Sequence, residues 1–356
     1  MRACMSFADR LDVPIVGGLP FEKRERAALA AEAEATIAQG SKSFAAAARL
    51  FDPEMRVSAL MLYAWCRHCD DVVDDQILGF RQPGRRDRAG DRARLDELEA
   101  KTLAAVRGRS TGEAPFDAIG DVALRHELPE SLLTAHLEGF RMDVDGRVYE
   151  VIEDTLDYCY RVAGVVGVMM ARVMGIRVEN GSKFDLTLTL DRACDLGMAF
   201  QLTNIARDIV DDGEAGRVYV PKTWLDAAGV PGSAIHHPRN REAAAVFALR
   251  LLDLAEPYYA SASKGLAALP PRAAWAVATA LGVYREIGTV IRRRGSQAWD
   301  DRSSTSAATK FLHAFKGVGW TMGSRVSSRR GVRPPELWTR PRLLELGDAP
   351  TTGLSA

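Results

Sequence analysis

Asp70 and Asp74 lie four residues apart behind Arg67, and the same order returns as Arg207, Asp208 and Asp212. Carboxylates at i and i+4 share a helix face, with Cβ atoms roughly 5–6 Å apart. One such pair on a surface helix would only repel itself. Two pairs facing each other make a cage for a hard divalent cation, and magnesium takes few carboxylates while keeping waters or substrate phosphates. The chemistry indicated is the handling of a metal-bridged diphosphate, with Mg²⁺ (or Mn²⁺) as the ion.

Such a cage needs helices with a polar stripe on an otherwise apolar surface, and the pattern supplies them. In the segment 184–211, Gln201, Asn204, Asp208 and Asp212 are spaced 3, 4 and 4, so they share one stripe. Leu196, Met198, Phe200, Leu202, Ile205, Ile209 and Val210 flank it. A helix apolar over most of its circumference is buried, so its stripe faces an internal cavity. Around the first pair, Met61, Leu62, Tyr63, Trp65, Val72 and Val73 surround Arg67, Asp70 and Asp74 in the same manner. Asp71, Asp75 and Asp211 occupy adjoining edges.

Helical periodicity runs through nearly the whole chain, at about 26–38, 42–51, 55–78, 93–107, 116–127, 130–143, 148–174, 184–211, 221–228, 240–268, 271–294 and 306–325. Strand signals are almost absent, so the fold class is all-α. One helical domain is expected over 26–325. An irregular N-terminal leader over 1–25 precedes it, and a basic, frayed C-terminal tail over 326–356 follows. The glycine-broken, charged stretch 81–94 reads as a mobile loop, and 213–220 as a loop after the second acidic pair.

Composition narrows the classes. Lys plus Arg and Asp plus Glu each number 47, so nothing argues for nucleic acid. Five cysteines without framework spacing fit a reducing, cytoplasmic setting. The longest apolar run, Ala163 to Ala171, is too short to span a bilayer.

Six stretches in order resemble the squalene/phytoene synthase family, the head-to-head branch of the trans-isoprenyl diphosphate synthases. They are GSKSF (40–44), LYAWCRHCDDVVDD (62–75), YCYRVAGVVGVMM (158–170), AFQLTNIARDIVDD (199–212), GRVYVP (216–221) and AEPYY (255–259). The resemblance implies one isoprenoid-synthase-type helical domain around a central cavity with an acidic motif on each of two walls. Asp70 and Asp74 would hold the metal from one wall and Asp208 and Asp212 from the other, with Gln201 and Asn204 close by. Arg67 and Arg207 would lie near the diphosphates, which suit a planar guanidinium. Ser41, Lys42, Ser43 and Phe44 would sit at the diphosphate and prenyl entrance, and Arg217 and Tyr219 in a flap over it. Tyr158 would stand near the reacting carbons, and Ala163, Gly164, Val166 and Gly167 along the prenyl cavity.

The activity implied is prenyl transfer: head-to-head condensation of two geranylgeranyl diphosphates, through a cyclopropyl diphosphate, to phytoene for carotenoid biosynthesis. A C30 squalene or dehydrosqualene synthase and a non-catalytic helical assembly factor are the alternatives. No nicotinamide is expected, since Gly317 to Gly323 has the wrong spacing and no strand before it. A C40 product must leave into lipid, so a peripheral position at the membrane is expected, together with other carotenoid-pathway enzymes as partners. Arg325, Arg329, Arg330, Arg333, Arg340 and Arg342, beside Leu337 and Trp338, are the basic and apolar residues that would meet an anionic surface. Cys66, His68 and Cys69 resemble half a zinc site, but no second ligand pair follows. His126 and His136 belong to no visible constellation.

Overall fold

The computed structural model describes residues 21, 23–40, 48–73, 76–77, 80–81, 88–176, 185–300 and 332–341. Ser41, Lys42, Ser43, Phe44, Asp74, Asp75 and the helix expected at 306–325 lie outside the described residues. The elements are α1 (Lys23–Gly40), α2 (Pro53–Val73), α3 (Arg88–Val106), α4 (Ala114–His126), α5 (Glu130–Asp145), α6 (Ile152–Cys159), α7 (Val165–Val173), α8 (Leu186–Glu214), α9 (Lys222–Ala227), α10 (Arg241–Gly265) and α11 (Pro271–Arg294). The fold is all-α. Among the described residues the sole extended pairing joins β1 (Gln76–Ile77) to β2 (Phe80–Arg81), with Gln76 opposite Arg81. No described helix is long and apolar enough to cross a membrane.

The central element is α8. Its 29 residues make a rod about 43 Å long, started by Asp185, whose carboxylate accepts the Leu188 N–H at 3.0 Å. Packed on it are α10, α7 and α11, while α2 reaches α7 from the other side and also packs on α1, α3 and α4. Trp65, Met61, Leu62, Phe116, Ile119, Leu132, Leu137 and Met169 are wholly buried among these helices. Burial of each large side chain stabilises by about 1.5–3 kcal/mol.

Three boundaries differ from the sequence reading. The leader is helical from Lys23, because the buried carboxylate of Asp121 gathers the Phe21 N–H at 2.9 Å, Arg26 Nε at 2.8 Å and Arg125 Nε at 2.9 Å. The stretch 81–94 is not wholly loop: α3 begins at Arg88, with Asp91 buried and paired to Arg94, and Arg92 donating to Asp145 at 2.8 Å. Charges that suggested a solvated loop thus find partners. The tail is not frayed over 332–341, where Leu337 and Arg340 are buried.

Between α6 and α7 the helix widens into a π turn, Tyr160–Gly164. Such turns concentrate at functional sites. His136 on α5 donates from Nδ1 to Arg161 O at 3.1 Å, its ring held between Trp65 and Phe140. The histidine that looked unattached in the sequence therefore supports this turn. Burial pushes its pKa down from 6.5 to about 4, against the raising effect of the Arg161 carbonyl. The unfolded chain then binds a proton at pH values where the folded one does not, so stability rises with pH across that window. Unfolding free energy is expected to fall as pH drops from about 6.5 to 4, by at most about 3 kcal/mol from this group. Denaturant titrations should show a smaller acid loss in His136→Asn.

Candidate active site

Along α8 burial alternates as the stripe requires. Leu202, Thr203, Ile205, Ala206, Ile209 and Val210 are buried, while Gln201, Asn204, Arg207, Asp208 and Asp212 are half-buried. Asn204 Nδ2 donates to Gln201 Oε1 at 3.3 Å, and Asn204 Oδ1 is a buried acceptor with no hydrogen-bond partner among the described residues. Arg207 grips Asp208 with Nε at 2.7 Å and Nη2 at 2.5 Å. Its carbonyl accepts Trp299 Nε1 at 2.8 Å, from the 3₁₀ turn Gly295–Trp299. Arg217, from the loop after α8, stands 3.6 Å from Asp212.

Asp212 is the electrostatic focus. Burial pushes its pKa up to about 7; Arg217 opposes the rise, and Asp208, Asp143 and Asp211 add to it. A carboxylate so placed holds a proton or needs a further cation.

Arg67 on α2 bridges Asp70 at 3.1 Å and Asp71 at 3.0 Å. Asp70 is 42% exposed and Asp71 only 14%, so Asp70 is the more accessible of the two. Asp71 instead borders a groove of about 350 Å³ between α1, α2 and α4, beside His68. No three acidic, histidine or cysteine side chains converge at metal-ligand spacing among the described residues.

Asp143, passed over in the sequence reading, joins several site residues. At the end of α5 it accepts from the Tyr158 hydroxyl at Oδ2 and from the Tyr219 hydroxyl at Oδ1, both at 2.9 Å. The two rings stack with centroids 4.5 Å apart, and Tyr149 packs against both at 5.5 and 5.7 Å. Tyr219 belongs to the segment after α8, which Thr155 fixes by donating to the Tyr219 carbonyl at 2.9 Å. Burial, with Asp143 next, drives the Tyr158 and Tyr219 hydroxyls well above the ordinary phenol value. Both remain neutral donors. A signal existed: an acid in the last turn of a helix opposes the helix dipole and so needs another partner.

The expected lining residues divide. Ala163, Val166 and Met170 form a half-buried apolar row, and Phe200 on α8 stacks on Tyr284 of α11 at 4.0 Å. Gly164 and Gly167 differ from the expectation, because they serve a helix crossing. A Cβ on Gly167 would lie 2.3 Å from the Ala193 carbonyl oxygen, and one on Gly197 would lie 2.2 Å from that of Ala163. A Cβ on Gly164 would meet Cys194, Tyr160 and Met198 at 3.0–3.3 Å. The π turn and α7 approach the backbone of α8 there because each contact has a glycine on one side.

An all-helical body with a half-buried aspartate–arginine stripe and a tyrosine cluster defines an isoprenoid-synthase-type protein. Residues 37–309 match the family model described as squalene/phytoene synthase, and the chain belongs to that family. It is 51% identical over 308 residues to a 15-cis-phytoene synthase of Pantoea ananas, covering 86% of this chain and 96% of that one. A 15-cis-phytoene synthase of a Paracoccus species is 50% identical over 306 residues, covering 86% and 95%. Among solved structures, a dehydrosqualene synthase superposes with a TM-score of 0.70 at 24% identity, over 84% of this chain and 99% of that one. That likeness concerns the fold alone.

The crossing makes a stability prediction. Gly167→Ala drives a methyl into a backbone carbonyl, and is expected to lower unfolding free energy by about 1–3 kcal/mol. Chemical denaturation of the purified variant checks it.

Proposed function

We propose that the chain condenses two molecules of geranylgeranyl diphosphate head to head into phytoene, releasing two diphosphates. The observation that carries this reading is 50–51% identity to 15-cis-phytoene synthases over 95–99% of their lengths.

The site residues fit a divalent cation. Asn204 offers a buried acceptor oxygen, and burial, with Asp208 and Asp143 adding to it, raises the Asp212 carboxyl. Asp208 and Asp212 on one wall, with Asp70 and Asp74 on the other, would hold Mg²⁺ (or Mn²⁺). Bound there, the ion supplies Lewis-acid withdrawal from the diphosphate leaving group. Arg67, Arg207 and Arg217 are held on the aspartates at 2.5–3.6 Å, where their guanidinium forks can turn to phosphate oxygens. Ser41, Lys42, Ser43 and Phe44 would meet the same group at the cavity mouth. Ala163, Val166 and Phe200 give the prenyl tails an apolar wall, which keeps water from quenching allylic cations. Tyr158, stacked on Tyr219, would offer π density to those cations, while burial and Asp143 keep both hydroxyls protonated and the carboxylate fixes both rings.

Intact pairs at Arg67–Asp70, Arg207–Asp208 and Arg217–Asp212 support an enzyme over a non-catalytic assembly factor. The apolar C40 product supports work at a membrane surface, close to enzymes that consume it. The described tail does not provide that surface: Arg333 and Arg340 are spent on internal ion pairs and Leu337 is buried.

The test is incubation of the full chain with geranylgeranyl diphosphate and Mg²⁺, without nicotinamide, followed by analysis of the organic extract. A C40 hydrocarbon with a conjugated triene is expected, and EDTA should abolish it. Asp208→Ala should lower kcat at least about a hundredfold with the helical circular dichroism unchanged. A C30 product from farnesyl diphosphate alone would replace the substrate, and full activity in EDTA would overturn the metal assignment.

A further inference from the structure

The side of α8 turned away from Asn204 carries Asp191 and Asp195, both buried. A buried carboxylate needs a partner, and here the arginine partners come from the far C-terminal segment 332–341. Arg333 donates Nε and Nη2 to the two oxygens of Asp195 at 2.9 and 2.7 Å, and Ser261 of α10 donates to the same carboxylate at 2.6 Å. Arg340 donates Nε to Asp191 at 2.7 Å, with the two side chains only 3% and 5% exposed. Between these anchors Trp338 sets its ring against Tyr160, centroids 5.1 Å apart, and its backbone N–H donates to the Tyr258 hydroxyl at 3.1 Å. The segment is a strap tying α8, α10 and the π turn together from outside.

Its position along α8 matters. Asp195 precedes Asp208 by 13 residues, about 20 Å of helix. On the prenyl diphosphate reading, a tail anchored by its diphosphate at Asp208 would extend toward the level where α7 and α8 cross at Gly167 and Gly197. Tyr160 opens the π turn, and its ring fills the space beside Gly164, 3.2 Å from where a Cβ would stand. Trp338 therefore presses on the residue that packs into the crossing.

We propose that Trp338 is a positioning residue for tail-length selectivity: through Tyr160 it fixes the π turn and the crossing, and so the deep end of the prenyl cavity. The inference rests on the prenyl diphosphate reading above. Two ion pairs alone would suffice to neutralise Asp191 and Asp195; the aromatic seated on the π turn is what connects the strap to the cavity wall.

The experiment compares full-length wild type, Trp338→Ala, Trp338→Phe, Tyr160→Ala and the double alanine variant. Calorimetry gives the Kd of geranylgeranyl and farnesyl thiodiphosphates, with thermal unfolding followed in parallel. Trp338→Ala is expected to lower the C20-over-C15 preference about fivefold or more. Tyr160→Ala should do the same without adding to it in the double variant, and Trp338→Phe should restore most of the preference. A lowered Tm with unchanged preference would make the strap a stability device only and overturn the inference. Should Trp338→Ala fail to fold, Trp338→Leu keeps apolar volume without the ring and carries the same comparison. The thiodiphosphates bind without turnover, so a shifted preference in a protein that makes no C40 hydrocarbon would sustain this inference while removing the activity reading.

Discussion

Negative charge carried into an apolar interior governs this structure. On α8, Asp191, Asp195, Asp208 and Asp212 run through a body whose other helices bury leucine, methionine and aromatic side chains. An ionised carboxylate in such surroundings costs several kcal/mol unless it is paired and hydrogen-bonded. Each of the four meets an arginine, but the pairs are of two kinds. Arg333 and Asp195 are 11% and 0% exposed at 2.7 Å, as befits a fixed structural bond. Arg207 and Asp208 are 21% and 26% exposed, and Arg217 reaches Asp212 only at 3.6 Å. The rear pairs hold the helix in place. The front pairs are more exposed, as the proposed binding of a cation and a diphosphate requires.

That division organises the rest. The rear of α8 is fastened to α10 through Ser261 and to the C-terminal strap through Arg333 and Arg340. Its flank meets α7 at a contact that only glycine permits, at Gly167 and Gly197. Its front end delivers the chain into the segment carrying Arg217 and Tyr219, which Asp143 and Thr155 hold against α5 and α6. The acidic stripe is thus positioned by contacts on every side except the one it presents inward.

The sequence made the stripe legible because its period and its apolar flanks are local. Gln201, Asn204, Asp208 and Asp212 had to share a face whatever the tertiary structure. The helical class followed from the same repeat, and so did most helix boundaries to within a few residues. What the sequence hid depends on distant partners. Arg333 and Arg340 look like solvated charges until Asp195 and Asp191 are seen, 138 and 149 residues away in the chain. Asp143 looks like an ordinary helix end until two tyrosine hydroxyls converge on it. Gly164 and Gly167 suggested space, and small residues do make space; here a second helix occupies it. The start of α3 at Arg88 was masked by Gly90 and a run of arginines whose carboxylate partners, Asp91 and Asp145, lie on α3 itself and on α5.

The central claim is that the front carboxylates of α8 hold a cation together with a diphosphate, whereas the rear ones do not. Electron paramagnetic resonance of Mn²⁺ binding, with and without geranylgeranyl thiodiphosphate, tests it directly. Wild type should bind Mn²⁺ more tightly with the thiodiphosphate present. Asp208→Asn and Asp212→Asn should each lose that gain, and Arg340→Lys, at the rear, should keep it. Undiminished Mn²⁺ binding in both front variants would contradict the account.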